Sequence, residues 1–147
     1  MKNSKKASSV SKLPVWGWVV LVVVAIAVMG AVVMQFIAPA AATLPSEISV
    51  AQAGQMRDQG ALILDVREPD EWTQFHIPGA VLIPLGELPN RLNEVPKDGE
   101  VVVVCRSGNR SATGRDILLN AGFPLVTSMA GGVTQWQSQG LPITTGQ

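Results

Sequence analysis

The chain has no tyrosine, one cysteine and one histidine among its 147 residues. A lone cysteine closes no internal disulfide, and one Cys with one His falls short of a Cys-rich zinc site, so no metal is expected. Acidic residues are missing before Glu47. Four of the eleven Lys and Arg residues (Lys2, Lys5, Lys6 and Lys12) precede residue 13, which leaves everything from Glu47 onward acidic by four charges. An acidic body lacks the basic face that neutralises phosphates, which argues against nucleic-acid binding. Internal repeats are also absent. The side chains left for chemistry are few.

What the chain does have is one long apolar run. The twenty residues 15–34, VWGWVVLVVVAIAVMGAVVM, carry no charge. As a helix rising 1.5 Å per residue they would reach about 30 Å, the thickness of a bilayer's hydrocarbon core. Trp16 and Trp18 stand at one end, where amphipathic rings favour the headgroup layer, and the lysines flank that same end. The first basic residue after the run is Arg57. The positive-inside rule then leaves the N-terminus in the cytoplasm and the remainder exported, as at the periplasmic face of a bacterial inner membrane. The expected organisation is a basic segment 1–14, a transmembrane helix 15–37, a linker 38–46 (APAAATLPS) and a folded domain 47–145. Ala-x-Ala sites in APAAAT (38–43) allow an alternative, a cleaved signal peptide releasing a soluble periplasmic domain, but the apolar core is longer than such signals use.

From Glu47 short apolar runs alternate with helical patterns. VAQAGQMRDQG predicts a helix stopped by Gly60, ALILDV a strand ending near Asp65, and EPDEWTQF a helix with acid in its first turn. AVLIPL predicts a second strand and ELPNRLNEV a poor, Pro-containing helix. EVVVVC is β-branched on both faces, which predicts the centre of the sheet. SATGRDILLNAG places Gly114, Ile117, Leu118 and Ala121 on one helical face, PLVTSM is a further strand, and GGVTQWQSQG a last helix. Alternation of this kind implies an α/β fold, a mostly parallel sheet covered by helices on both sides.

In such sheets function collects where strands end and loops enter the next helix. Cys105 occupies that position on the most central-looking strand, and RSGNRS follows it. Gly108 permits the backbone angles of a tight loop, and successive N–H groups in such a loop, backed by a helix N-terminus, make an anion nest. A thiol placed there should ionise more readily, and Arg106 and Arg110 add positive charge. This suits a small anionic substrate attacked by a thiolate. A buried structural cysteine is the plainer alternative.

At these residues the sequence resembles the single-domain rhodaneses, a sulfurtransferase family. CRSGNRS (105–111) is similar to their active-site loop, and LILDVREPDEW (62–72), HIPGAVLIP (76–84) and AGGVTQWQSQGLPI (130–143) resemble their other recurring segments in order. The resemblance implies a rhodanese-like three-layer fold with a central five-stranded parallel sheet, here preceded by one transmembrane helix. It also implies that Cys105 takes sulfane sulfur from thiosulfate or a related small anionic donor, becomes a persulfide, and passes the sulfur to a thiol or cyanide acceptor. By the same resemblance the backbone N–H groups of Arg106, Ser107, Gly108, Asn109 and Arg110 hold the persulfide, Arg110 helps place the donor, and no cofactor is needed. Related phosphatases separate Cys and Arg by five residues, whereas Arg110 follows Cys105 after four, a ring better fitted to one sulfur atom.

Asp65 and Arg67 should rise on the same sheet edge and shape the donor pocket, although a plainer role is expected: Asp65 tying down its own loop and Arg67 pairing with Glu71. Ser111 could shape the pocket, bond a sulfonate or cap the helix. His76 is expected to serve as a turn element, and Phe75 stands where the family usually has glycine. Trp136 is expected in the core. The alternatives to a turnover enzyme are a sulfur carrier that holds a persulfide for one partner protein, and a tether whose loop only binds an anion.

Overall fold

The structure is a computed structural model that describes residues 14–36 and 43–146. The chain divides into two units, residues 1–40 and 41–147, each described here by itself.

In the first unit, α1 (Val15–Phe36) is a continuous helix. Trp16, Trp18 and the apolar side chains from Val19 to Val24 are all exposed. The transmembrane helix expected over 15–37 is not shown. Among the described residues no helix is long and apolar enough to cross a membrane. Residue 37, most of the basic segment (1–13) and the linker up to residue 42 lie outside the described residues.

The second unit contains β1 (Glu47–Ile48), α2 (Val50–Asp58), β2 (Leu62–Asp65), α3 (Pro69–Gln74), β3 (Val81–Leu82), β4 (Val101–Val104), α4 (Asn109–Asn120), β5 (Val126–Met129) and α5 (Gly132–Ser138). Five strands form one sheet in the order β1-β5-β4-β2-β3. All its pairings are parallel. The expected α/β architecture is present, and β4 is the middle strand. Its four valines are fully buried, as β-branched residues facing a core on both sides should be.

Strand parity divides the interior. Val101, Val103 and Cys105 face one core with Leu64, Val66, Leu118 and Phe123. Val102 and Val104 face the other with Ile63, Met129, Val133 and Trp136. Successive strand residues point to opposite faces, so Cys105 inherits the face on which α4 packs. Gly114 lets that helix approach closely: a Cβ there would lie 3.1 Å from a methyl of Val103 and 3.3 Å from one of Val66.

Three elements differ from the pattern read in the sequence. β1 is only two residues long, too short to show a period, and pairs with β5 at the sheet edge. β3 is only Val81–Leu82, although Ile83 and Leu85 still donate to the Asp65 and Val66 carbonyls beyond it. The segment around Pro89 forms two single 3₁₀ turns, Leu88–Asn90 and Leu92–Glu94, with Arg91 bound to both Glu87 and Glu94.

Candidate active site

β4 and β2 run side by side with Asp65 opposite Val104. The residues just beyond them, Cys105 and Arg106 on one strand and Val66 and Arg67 on the other, therefore emerge at the same sheet end. The chain after Cys105 turns at Gly108, which has φ +111 and caps α4. Few side chains other than glycine's tolerate that angle. The Gly108 N–H donates to Cys105 Sγ at 3.1 Å. The thiol in turn donates to Ser111 Oγ at 3.7 Å, and Ser111 donates to the Gly108 carbonyl at 2.6 Å. The first N–H groups of α4 have no intrahelical acceptor and carry the positive end of the helix dipole. Cys105 itself is 1% exposed.

The loop is held from outside by α5. Val133 N–H donates to the Cys105 carbonyl at 2.8 Å and Thr134 N–H to the Arg106 carbonyl at 3.2 Å. Gly131 and Gly132 precede them with φ of +71 and +60. A Cβ on Gly132 would overlap the carbonyl of Arg106 and the oxygen of Cys105. The glycine pair, read from the sequence as a turn before a packed helix, is thus also the surface that grips the cysteine loop. The AGG spacing was visible, but its target 27 residues upstream in sequence was not.

Two ion pairs frame the loop. Arg67 is 2% exposed and Asp65 fully buried. Arg67 donates to Asp65 Oδ2 through Nε at 2.9 Å and Nη2 at 2.7 Å, and its Nε and backbone N–H both reach Oδ1 at 3.0 Å. Its remaining donors go to the carbonyls of Glu71 (3.3 Å) and Phe75 (2.8 Å). Asp65 therefore does tie down its own loop, but the expected pairing of Arg67 with the Glu71 carboxylate is replaced. That carboxylate is bound by both terminal nitrogens of Arg110, at 2.6 and 2.7 Å. Hydrogen bonding to Arg110 is the main reason the Glu71 carboxyl is lowered to about 2, with burial opposing it. The same bonds raise Arg110 above the usual arginine range. The sign follows: the contribution of Glu71 to stability is full above the ordinary carboxylate range and is lost only as pH falls toward about 2. Arg110 thereby fastens the start of α4 to α3.

A cavity of about 180 Å³ opens beside the loop. Glu71, Gln74 and Phe75 line it from α3 and the residue after it, Thr134 and Gln137 from α5, and Arg67 and Arg106 from the strand ends. Ser107 and Asn109 are exposed at the loop, and Ser111 is buried beneath it. His76 lies apart from this group. Expected as a turn element, it stacks on Trp72 at 3.6 Å and pairs its backbone with Thr144 in an isolated antiparallel bridge. Trp136 is fully buried, as expected, with its N–H on the Pro142 carbonyl. No cluster of metal-binding side chains occurs among the described residues.

Comparison with known proteins places this geometry. Residues 49–139 match the family model described as a rhodanese-like domain. A sulfurtransferase of Allochromatium vinosum is 40% identical over 85 residues, covering 58% of this chain and 79% of that protein. The thiosulfate sulfurtransferase GlpE of Pseudomonas syringae is 36% identical over 87 residues, 59% of this chain and 82% of its own length. Among solved structures, a rhodanese-related protein from Thermoplasma volcanium superposes with TM-score 0.63 at 29% identity, covering 68% of this chain and 98% of that one.

The grip of α5 on the loop yields a test. Gly132→Ala should lower folding stability by about 2–4 kcal/mol, combining strain at positive φ with backbone overlap. Gly140→Ala, at φ +72 with nothing within 4 Å of its Cβ position, should lose only about 1 kcal/mol. Urea unfolding of both variants measures the difference; equal losses would mean that α5 does not grip the loop.

Proposed function

Because the chain belongs to the rhodanese-like domain family, and sulfurtransferases are among its relatives, we propose that it moves sulfane sulfur through a persulfide on Cys105. The donor is thiosulfate or a related small sulfur anion, and the acceptor is a thiol or cyanide. One observation carries this reading: the thiol ends the central strand inside a loop whose Gly108 N–H is aimed at its sulfur from 3.1 Å. The same loop turns its carbonyls of Cys105 and Arg106 outward to α5.

In the first half-reaction the Cys105 thiolate attacks the outer sulfur of thiosulfate. The bond between the two thiosulfate sulfurs breaks, its electron pair leaves with sulfite, and Cys105 becomes a persulfide. N–H groups of residues 106–110 face the added sulfur and offset its negative charge. Arg110 takes part by holding α4 in place through Glu71. Ser111, hydrogen-bonded to both the thiol and the Gly108 carbonyl, keeps the loop closed around it. In the second half-reaction an acceptor nucleophile attacks the outer sulfur and Cys105 departs as thiolate.

We further propose that the domain works at a membrane, held through residues 15–37, on the side opposite the lysine-rich N-terminus. The uncharged run at 15–34 and the exposed apolar side chains from Val19 to Val24 support this, since exposed apolar side chains on successive helix positions call for apolar surroundings. The alternative remains a cleaved signal peptide with export of the soluble domain.

Incubation with thiosulfate should add the mass of one sulfur to the native protein and none to Cys105→Ala, and cyanide should release the sulfur as thiocyanate. A free thiol that gains no mass would overturn thiosulfate as donor. Repeated turnover with small acceptors marks an enzyme, whereas loading without turnover marks a carrier for a partner protein. For the location, the full-length chain expressed in a bacterium should sediment with membranes, resist alkaline extraction, and be cut by protease added to spheroplasts. A soluble full-length protein would sink the anchor.

A further inference from the structure

The cavity beside the cysteine loop has a charge balance that selects its occupant. Two arginines, Arg67 and Arg106, line it, and a third, Arg110, binds Glu71 on its wall; Arg67 and Arg110 are already neutralised. Arg67 is charge-paired with Asp65 and also donates to the backbone carbonyls of Glu71 and Phe75. Arg110 is bound through both terminal nitrogens by Glu71. Arg106 is different: among the described residues its guanidinium has neither an ion pair nor a hydrogen bond, and it is exposed at the cavity rim. One uncompensated positive charge therefore faces the opening.

Glu71 also lines the cavity, its charge taken up by Arg110, and the remaining walls are neutral. Gln137 and Thr134 present an amide and a hydroxyl from α5, and their side chains make no hydrogen bond among the described residues. The Phe75 ring supplies an apolar surface, fixed in place by the Arg67 guanidinium 5.4 Å from its centre. At about 180 Å³ the space is well below the roughly 300 Å³ at which drug-sized pockets begin. A coenzyme or a folded partner's loop is too large to be enclosed, and a bare sulfur anion would leave the Phe75 and Gln137 walls without contact.

We propose that this cavity is the acceptor subsite and that it selects a small thiol bearing a carboxylate a few atoms from its sulfur. The inference rests on the persulfide reading above and names the acceptor class. Arg106 binds the carboxylate, Gln137 and Thr134 supply further hydrogen bonds, and the methylene chain lies on Phe75. Arg106 follows Cys105 directly, so an acceptor anchored there carries its thiolate toward the loaded sulfur. The outer sulfur of the persulfide anion first takes a proton from solvent, and the thiolate then attacks that sulfur. A bond forms between the acceptor sulfur and the transferred S–H, the Cys105 S–S bond breaks, and its electron pair returns to Cys105 as thiolate. The products are the acceptor persulfide and the free enzyme, with no net oxidation.

The test uses full-length protein loaded with thiosulfate, its persulfide content measured by intact mass. Discharge is then followed with 3-mercaptopropionate, 2-mercaptoethanol and cysteamine, compared at equal thiolate concentration. The anionic thiol should react about fivefold or more faster than the neutral one, the scale of one partly exposed charge contact, and cysteamine should be slowest. Arg106→Gln should bring the anionic-to-neutral ratio close to one, and Phe75→Gly should reduce it. Equal rates for all three thiols on loaded protein would overturn the proposal while leaving the persulfide reading intact. If thiosulfate loads no sulfur, the subsite is read directly with the unreactive thioether 3-(methylthio)propionate. Saturable NMR shifts at Phe75 and Gln137 that vanish in Arg106→Gln support it, and their absence in the native protein overturns it.

Discussion

Two backbone hydrogen bonds govern the site: Val133 N–H to the Cys105 carbonyl and Thr134 N–H to the Arg106 carbonyl. In a trans peptide the C=O and the following N–H point in opposite directions. Drawing these two carbonyls toward α5 turns the N–H groups of Arg106 and Ser107 the other way. The Gly108 N–H, at positive φ, completes the turn onto the sulfur. The arrangement needs glycine at 132, because no Cβ fits against the Arg106 carbonyl. It also needs β4 to deliver Cys105 on the α4 face, which follows from strand parity. Fold and site are linked through that one contact between the last helix and the cysteine loop.

Charge is arranged as closed pairs around an open one. Asp65 and Arg67 are buried together, and removing either would strand a buried ion, a loss of about 3–5 kcal/mol in comparable cases. The pair is better regarded as fixing the position of the β2 exit and of the Phe75 carbonyl than as a source of net stability. Glu71 and Arg110 do the same between α3 and α4 at the partly exposed rim, where screening limits the energy of the pair. With four charges so committed, the field at the opening is set by Arg106.

Much of this was legible in the sequence. The run VVVV is apolar on both faces, and only a central parallel strand buries both, so β4 was readable without its neighbours. The CRSGNRS loop combines a thiol, a glycine and a helix start within seven residues, all local features. Trp136 also took the core position expected of it. What stayed hidden was long-range. Glu71 and Arg110 are 39 positions apart, and nothing in either local pattern favours that pair over Glu71 with nearby Arg67. The reach of Gly132 to the loop is likewise a tertiary fact. β1, with two residues, has no period to read, and β3 ended at Leu82 although its apolar pattern ran on. The apolar run at the front was obvious in composition, yet its role depends on surroundings that the fold of the chain does not contain.

The most direct measurement is a crystal structure of the protein after treatment with thiosulfate. One additional sulfur should be bonded to Cys105 Sγ, ringed by the N–H groups of residues 106–110, with the Cys105 and Arg106 carbonyls still bound to Val133 and Thr134. An added sulfur pointing away from those N–H groups, or a loop released from α5 while loaded, would contradict the central claim that the outward pull on two carbonyls makes the persulfide site.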